Sequence, residues 1–273
     1  MIVAGYLASL FMGVSLGLIG GGGSILTVPI LFYLFQQDSL SATTNSLFIV
    51  GATALVGAIL NGRRGDMDLR TGLQFALPSF VGVYVARRFF LPWLPPTLFS
   101  ILGVTLTKGL LVMMAFAGLM VMASVAMIRS GRKPEAGGAS PSPLPGRGPG
   151  WVGVGLRGLA VGCTTGFVGA GGGFLIIPSL VLLLKMPMRT AIGTSLAIIA
   201  ANSFFGFLVS SATGTFIDWN VLLSVSAVGI GGIFVGQAVS PRVREHTLKR
   251  GFGYFVLVVG SAILADQILS LFR

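Results

Sequence analysis

Charge is scarce in this chain. Lys and Arg number 18 and Asp and Glu 7, together 9% of 273 residues, where a soluble domain carries about 25%. So few charged groups cannot cover a water-facing surface. That excludes an ordinary soluble domain and leaves an integral membrane protein as the class. Cysteine is limited to Cys163, which excludes an intrachain disulfide and a cysteine-based metal site. Cys163 reads as a small residue packed between helices. Histidine is limited to His246, in the basic loop "SPRVREHTLKR", so no set of metal ligands is at hand. Acidic groups are missing where a proton-coupled pump would place them. Asp38, Asp66, Asp68, Glu135, Asp218, Glu245 and Asp266 all fall in loops or near the ends of apolar runs. The net charge of +11 does not point to nucleic acid, because the basic residues sit in short clusters between apolar runs without interleaved aromatics. No cofactor signature is present either: no Gly-Lys-Ser/Thr follows either glycine cluster, and no acidic partner stands about twenty residues beyond them.

What the chain has is apolar length. Hydrophobic residues make up 54% and mean hydropathy is +0.93. Apolar runs lie at 2–19, 24–35, 42–60, 72–86, 98–128, 151–168, 174–184, 190–211, 220–238 and 252–271. A crossing takes about 20 residues, so 24–35 and 174–184 are too short to span alone, and 98–128 is longer than one span needs. The first run has no basic leader and no small-x-small cleavage site before polar sequence, so it is expected to belong to the mature fold. Residues 129–150, "RSGRKPEAGGASPSPLPGRGPG", are rich in Pro, Gly and Ser. They read as a flexible cytoplasmic linker between a first transmembrane repeat, 1–128, and a second, 151–273.

The halves are copies. Adding 149 to Gly17, Gly20, Gly22, Gly23, Leu26, Pro29 and Leu31 lands on Gly166, Gly169, Gly171, Gly172, Leu175, Pro178 and Leu180. The same offset pairs Ala42, Ser46 and Leu47 with Ala191, Ser195 and Leu196, and Gly57 with Gly206. With one further residue inserted, Asp68 pairs with Asp218 and Gly82 with Gly232. A constant offset over this length marks duplication. Equivalent loops differ in charge. "QQDS" carries no basic residue, whereas "KMPMR" carries Lys185 and Arg189; "NGRRGDMDLR" has Arg63, Arg64 and Arg70, whereas "SATGTFIDWN" has none. Basic loops stay cytoplasmic, so the copies face opposite ways, as in many transporters. Arg87 and Arg88 fall on the outer side in this scheme, and snorkelling or a tilted helix is expected to accommodate them. The expected fold is an all-α integral membrane protein with two inverted repeats. Each repeat holds a glycine-broken, re-entrant helical segment plus about three transmembrane helices.

"GLIGGGGSILTVPILFY" and "GFVGAGGGFLIIPSLVL" put glycine clusters inside apolar surroundings. Glycine in a helix interior costs about 1 kcal/mol relative to alanine. Broken backbone at membrane depth persists only when packed in protein or lining a wet cavity. A break exposes amide N–H groups at the positive end of the following half-helix, and two inverted breaks would bring two such ends together as a site for an anion. The candidate substrate-binding residues are therefore Gly20, Gly21, Gly22 and Gly23 in the first motif and Gly169, Ala170, Gly171, Gly172 and Gly173 in the second. Close helix packing through small residues is the competing role. "TTNSL" and "GTSL" begin the next span in each half. Asn45, Ser46, Thr194 and Ser195 either cap that helix or donate hydrogen bonds to an oxyanion opposite the breaks. Asn202 would share the face of Ser195, or join helices. Lys108 in "TLTKGLLVMM" lies in an apolar run and is a further candidate, unless the span starts at Gly109 and Lys108 snorkels outward.

At "GLIGGGGSILTVPIL", "GFVGAGGGFLIIPSL", "AIGTSL" and "GTFIDW" the chain resembles the sulfite exporter TauE/SafE family of membrane transporters, over nearly its whole length. The first half departs from the pattern, with Thr44-Asn45-Ser46 where the second has Gly193-Thr194-Ser195, and the linker is unusually long. The resemblance implies transport of sulfite, sulfonates or related small anions across the inner membrane by a multi-pass protein that is not an enzyme. With no ATP-binding signature, a gradient must drive movement. A membrane potential is worth about 2.3 kcal/mol per charge per 100 mV and favours anion exit from a negative interior. The partners expected are a small anionic substrate and the lipid bilayer, with a homodimer compatible and nucleic acid and cofactors not called for. A membrane-embedded enzyme would need convergent catalytic groups, which are missing; a structural or accessory membrane subunit would have no use for duplicated glycine breaks.

Overall fold

The computed structural model describes residues 2–95, 97–101, 104–130, 151–168, 173–184, 186–211, 217–240 and 245–270. The linker residues 131–150 and the glycine-cluster residues Gly169, Ala170, Gly171 and Gly172 lie outside the described residues.

Apolar side chains cover the outside of the molecule and small polar ones fill its centre. Val3, Leu156 and Val258 are two-thirds exposed or more, whereas Ser24, Thr27, Asn45, Ser46, Thr53, Thr194, Ser195 and Asn202 are buried. Water would favour the reverse. A lipid solvent accepts this arrangement, and five segments are long and apolar enough to cross a membrane: Ile2–Leu34, Ser39–Arg63, Lys108–Ala126, Met188–Ser211 and Trp219–Val239.

The first of these segments is not one rod. Helix α1 (Ile2–Ile19) stops where Gly20 takes φ +73°, a left-handed backbone that a side chain resists. A tight 3-10 stretch follows over Gly20–Leu26, then one helical turn, α2 (Thr27–Pro29), and a widened π turn over Ile30–Leu34. Pro29 has no N–H to donate, which favours the wider turn after it. The chain doubles back across the break: the Tyr6 ring meets Phe35 edge-on, with centroids 5.6 Å apart. The end of the glycine segment thus lies beside the start of α1. In the second half, helix α8 (Gly173–Pro178) likewise runs into a π turn, Ser179–Leu183. Hydrogen bonds recur at the same offset. Phe35 N donates to Ile30 O at 3.2 Å and Leu184 N to Ser179 O at 3.3 Å, while Gln37 N donates to Leu31 O and Met186 N to Leu180 O, both at 3.1 Å.

The longer helices are α3 (Ser39–Arg63), α4 (Leu69–Val85), α6 (Lys108–Ser130), α7 (Trp151–Val168), α9 (Met188–Ser211), α10 (Trp219–Val239) and α11 (Glu245–Ser270), with one turn, α5 (Leu91–Trp93), after α4. Aspartate carboxylates start three of them. Asp38 accepts from the backbone N–H groups of Leu40 and Ser41, Asp68 from that of Thr71, and Asp218 from those of Asn220 and Val221. This is ordinary N-capping and explains why the acidic residues gather at span ends. Packing pairs α1 with α10, α7 with α4, α3 with α9, and α6 with α11. Exchanging the halves turns the first pair into the second and leaves the others unchanged. Contact is close because small residues face each other. A Cβ on Gly13 would come within 2.8 Å of the Gly229 carbonyl carbon, and one on Gly162 within 2.7 Å of that of Ser79.

One apolar run departs from the helical expectation. Residues 98–128 do not form a single helix. Instead β1 (Thr97–Ile101) pairs antiparallel with β2 (Val104–Thr107), and α6 begins only at Lys108. The run "TLFSI" and "VTLT" is rich in β-branched and aromatic residues, which favour an extended hairpin over a helical turn. Among the described residues this hairpin is the one departure from an all-helical fold. Helix α6 continues to Ser130, two residues into the stretch read as linker.

Candidate anion site at the glycine breaks

The first break touches the start of α8. A Cβ on Gly21 would lie 2.5 Å from the Gly173 Cα, and one on Gly173 would lie 2.5 Å from the Gly21 Cα. Backbone therefore meets backbone at Gly21 and Gly173, with the Ile199 side chain of α9 beside them. Gly20 sits against α9 as well, its Cβ position 3.1 Å from the Ser195 hydroxyl and 3.2 Å from the Ile192 Cα. Gly22 and Gly23 are buried in the same 3-10 stretch, Gly23 against Leu16 of α1. The sequence candidates Gly20, Gly21, Gly173 and Ser195 are thus brought together.

The hydroxyl and amide candidates divide. They do not start their helices: Asp38 caps α3 and the chain is already helical from Ser39, and α9 is helical from Met188. The capping role is therefore displaced inward by one to two turns. Ser46 Oγ donates to Thr43 O at 2.9 Å, and Ser195 Oγ to Ile192 O at 2.8 Å, the local back-bonding that serine makes inside a helix. Thr194 Oγ1 accepts from the Asp68 N–H at 2.9 Å and so ties α9 to the start of α4. Asn45 Nδ2 donates to Gln37 Oε1 at 3.0 Å, and Asn202 Nδ2 donates to Ser79 Oγ at 2.6 Å. The Asn45 and Asn202 carboxamide oxygens are buried without a partner. Lys108 is the first residue of α6, half-buried at the end of its span, and its neighbour Gly109 packs on Ser39. It stands where α3 begins.

A cavity of about 200 Å³ opens beside Arg64, just after α3, and Arg189, in the first turn of α9. It is lined inward by Asn61, Gln237, Gly17 and Ile192, and Ile192 is the residue against which Gly20 packs. The cavity thus runs from two exposed guanidinium groups to the wall of the first break. Asp66 also lines it, and two arginines against one aspartate leave the lining net positive, which concentrates anions. Asn61 and Gln237 escaped the sequence reading. Asn61 Nδ2 donates to Gly57 O at 2.8 Å and Gln237 Nε2 to the same carbonyl at 3.0 Å. The signal that could have found Gln237 is the offset of 150, which pairs it with Arg87.

Arg87 does not snorkel. It is 3% exposed and turned into the bundle, where Nη1 donates to Ser210 Oγ at 2.9 Å and Thr44 Oγ1 at 3.2 Å, and Nη2 donates to Thr43 O at 3.4 Å. It follows the buried Ser79 and Val83 of α4 at helical spacing and so continues that helix's inward face into the π turn Ala86–Phe90. Arg88, one residue on, is exposed. Arg157 in α7, a basic residue inside an apolar run, was also passed over; its Nη1 is buried and unpartnered.

Comparison with known proteins gives the same family as the motifs. The family model described as sulfite exporter TauE/SafE matches residues 5–263. A "Probable membrane transporter protein" of Xylella fastidiosa (strain 9a5c) is 29% identical, the alignment covering 93% of this chain and 91% of that one. The "Probable membrane transporter protein YunE" of Bacillus subtilis (strain 168) is 24% identical, with 93% of each chain covered. YdhB from the same strain, described in the same words, is also 24% identical over 94% of this chain and 98% of its own. No solved structure matches.

Proposed function

This chain belongs to the sulfite exporter TauE/SafE family of membrane transporters, and from that premise we propose that it exports small sulfur-containing oxyanions, sulfite or sulfonates, across the inner membrane. The observation that carries the reading is the backbone meeting of Gly21 and Gly173, next to Gly20, which packs on Ile192 in the wall of a cavity that Arg64 and Arg189 also line. Side-chain-free backbone at a helix break presents N–H groups to an anion, and positive charge at the mouth draws that anion in from the basic, cytoplasmic side.

We read the exchange symmetry of the helix pairs as an inverted repeat. Each half then contributes three spans and one re-entrant hairpin that enters and leaves on one face, as the Tyr6–Phe35 contact suggests for the first half. In this arrangement Asp38 and Asp218 stand at the outer face, and Asn61 and Gln237 at the cytoplasmic one. Movement is electrogenic: an anion leaving a negative interior gains about 2.3 kcal/mol per charge per 100 mV. The carboxylate that lines the cavity, Asp66, stands at its mouth with Arg64 and Arg189.

The test is sulfite flux in proteoliposomes under an imposed potassium-diffusion potential. Efflux from the negative side is expected to speed up with voltage. Flux of divalent anion that ignores the voltage would eliminate the electrogenic mechanism, and absence of sulfite flux at any voltage would eliminate the substrate class.

A further inference from the structure

Arg87 is a buried cation with no anion. Its guanidinium cannot be neutralised by deprotonation in ordinary conditions, and taking it out of water is strongly unfavourable unless an opposite charge and hydrogen bonds compensate. The three acceptors it finds, Thr44 Oγ1, Ser210 Oγ and Thr43 O, are all neutral. Its Nε is buried with no partner at all, and no carboxylate among the described residues pairs with it.

The molecule carries its own control. At the equivalent place in the other half, offset 150, stands Gln237, equally buried and neutral, donating to the Gly57 carbonyl. Ser210, which holds Arg87, is likewise the equivalent of Asn61, which sits with Gln237 at the cytoplasmic cavity. Packing at this register is therefore met by an uncharged amide. The charge at Arg87 answers to something else. Its position, one to two turns below the start of α3 and against the last turn of α9, places it at the end of the bundle opposite the cytoplasmic cavity. Lipid phosphate cannot reach a side chain so enclosed; the exposed Arg88 is the one suited to that contact.

We propose that Arg87, with the Thr44 and Ser210 hydroxyls, forms a second anion site at the outer end of the pathway, which takes an oxyanion when that end opens. A sulfite or sulfonate offers two oxygens in the plane a guanidinium fork can grip, and Nε and one Nη supply the matching N–H pair. The hydroxyls then turn to the ligand's remaining oxygen. This inference rests on the transport reading and gives that reading its outer contact.

The experiment uses membrane vesicles of both orientations, so that radiolabelled sulfite meets either the outer or the cytoplasmic face. Arg87→Gln is expected to raise the half-saturating sulfite concentration at the outer face at least about tenfold, and to change that at the cytoplasmic face less than about twofold. Arg87→Lys, which keeps the charge and loses the fork, is expected to fall between. An unchanged outer value in a folded Arg87→Gln protein overturns the proposal, as does an equal change at both faces. A second measurement does not depend on flux. With Cys163→Ala as background, Ser41→Cys places a thiol one turn above Thr44, and its alkylation from outside by an impermeant maleimide is expected to be slowed by sulfite when Arg87 is present but not in Arg87→Gln. If intact protein moves no sulfite but sulfite still protects that thiol through Arg87, the transport reading fails and the anion site stands. If flux is normal and protection is absent, the site fails alone.

Discussion

The two ends of the bundle carry equivalent pairs, Gln237 with Asn61 and Arg87 with Ser210, and the pairs differ in one charge. At the end with the basic loops, Gln237 and Asn61 line a cavity of about 200 Å³ behind Arg64 and Arg189. At the other, Arg87 and Ser210 occupy the same register, hydrogen-bonded to each other at 2.9 Å and closed in by α3 and α9. Gln237 lies on a regular stretch of α10, whereas Arg87 lies on a π turn. A duplicated fold thus accommodates an amide or a guanidinium at this position. At the cavity end charge sits on the exposed Arg64 and Arg189; at the opposite end it sits on one enclosed side chain. In the transport reading proposed above, a cation near each end would hold an anion at either, which is what alternating exposure of a central site requires.

The comparison breaks most completely if the shared centre is filled. Gly21→Val and Gly173→Val each put a branched side chain where the partner Cα already stands 2.5 Å from the Cβ position. Each is expected to lower sulfite flux more than about a hundredfold, an overpacking effect of several kcal/mol. Monodispersity in size-exclusion chromatography separates lost transport from lost folding. Gly118→Ala, at a glycine with nothing within 4 Å, is the matched control and is expected to stay within about twofold. If a folded Gly21→Val protein transports normally, the breaks serve packing alone.

The ends themselves are sharpened by moving the charge. Gln237→Arg adds a cation to the cytoplasmic cavity and is expected to lower the half-saturating sulfite concentration on that face about threefold to tenfold. Combined with Arg87→Gln, it should reverse the difference between faces measured in oriented vesicles. A smaller effect is expected from Arg64→Ala with Arg189→Ala. These exposed groups act by steering, so cytoplasmic-face uptake at low salt should fall about threefold and the difference should vanish near 0.5 M salt, where screening is within a few ångströms. A loss that persists at high salt would mean direct binding instead.

How much of this was legible depends on the kind of signal. Glycine and proline spacing exposed the first break and the paired π turns, because Gly20 takes a backbone that only glycine adopts freely and Pro29 and Pro178 precede matching turns. The offset of 149 exposed equivalent elements, since local hydrogen bonding follows local sequence. Three things were not legible. Residues 97–101 and 104–107 pair as strands because β-branched and aromatic side chains there favour extended backbone, and hydropathy counts such residues the same way in a strand as in a helix. The hydroxyls of "TTNSL" and "GTSL" lie inside their helices because α3, capped by Asp38, and α9, helical from Met188, both start before their apolar runs. Arg87 looked like a surface cation beside Arg88, although helical spacing from the buried Ser79 and Val83 puts Arg87 on the inward face and Arg88 off it. Charge argued for the surface and outweighed the spacing in the sequence reading.

The smallest expected effect compares two equivalent caps. Asp218 accepts only from backbone N–H groups, of Asn220 at 3.0 Å and Val221 at 3.2 Å. Asp68 accepts from the Thr71 N–H at 3.1 Å and from the Thr71 hydroxyl at 2.6 Å, while its own N–H donates to Thr194 of α9. Partial burial pushes the Asp68 carboxyl up, but the Thr71 and Arg70 hydrogen bonds and the Arg70 charge outweigh it and hold the group below the usual carboxylate range. A carboxyl depressed on folding stabilises the fold above its unfolded value of about 3.9, and that contribution fades as pH falls through the lower, folded value. Asp68→Ala should therefore cost about 1 kcal/mol at pH 7, read as a lowered melting temperature in detergent. Asp68→Asn keeps a competent cap and should cost less, but it should remove part of the stability lost below about pH 4. Asp68→Ala also removes the bond from the Thr71 hydroxyl while keeping the backbone bond to Thr194, so its melting temperature should fall further than that of Asp218→Ala, whose carboxylate accepts backbone N–H groups alone among the described residues. Equal losses at the two caps would mean that the Thr71 hydroxyl adds nothing, and that the two halves differ at Arg87 and Gln237 but not in how strongly these caps hold.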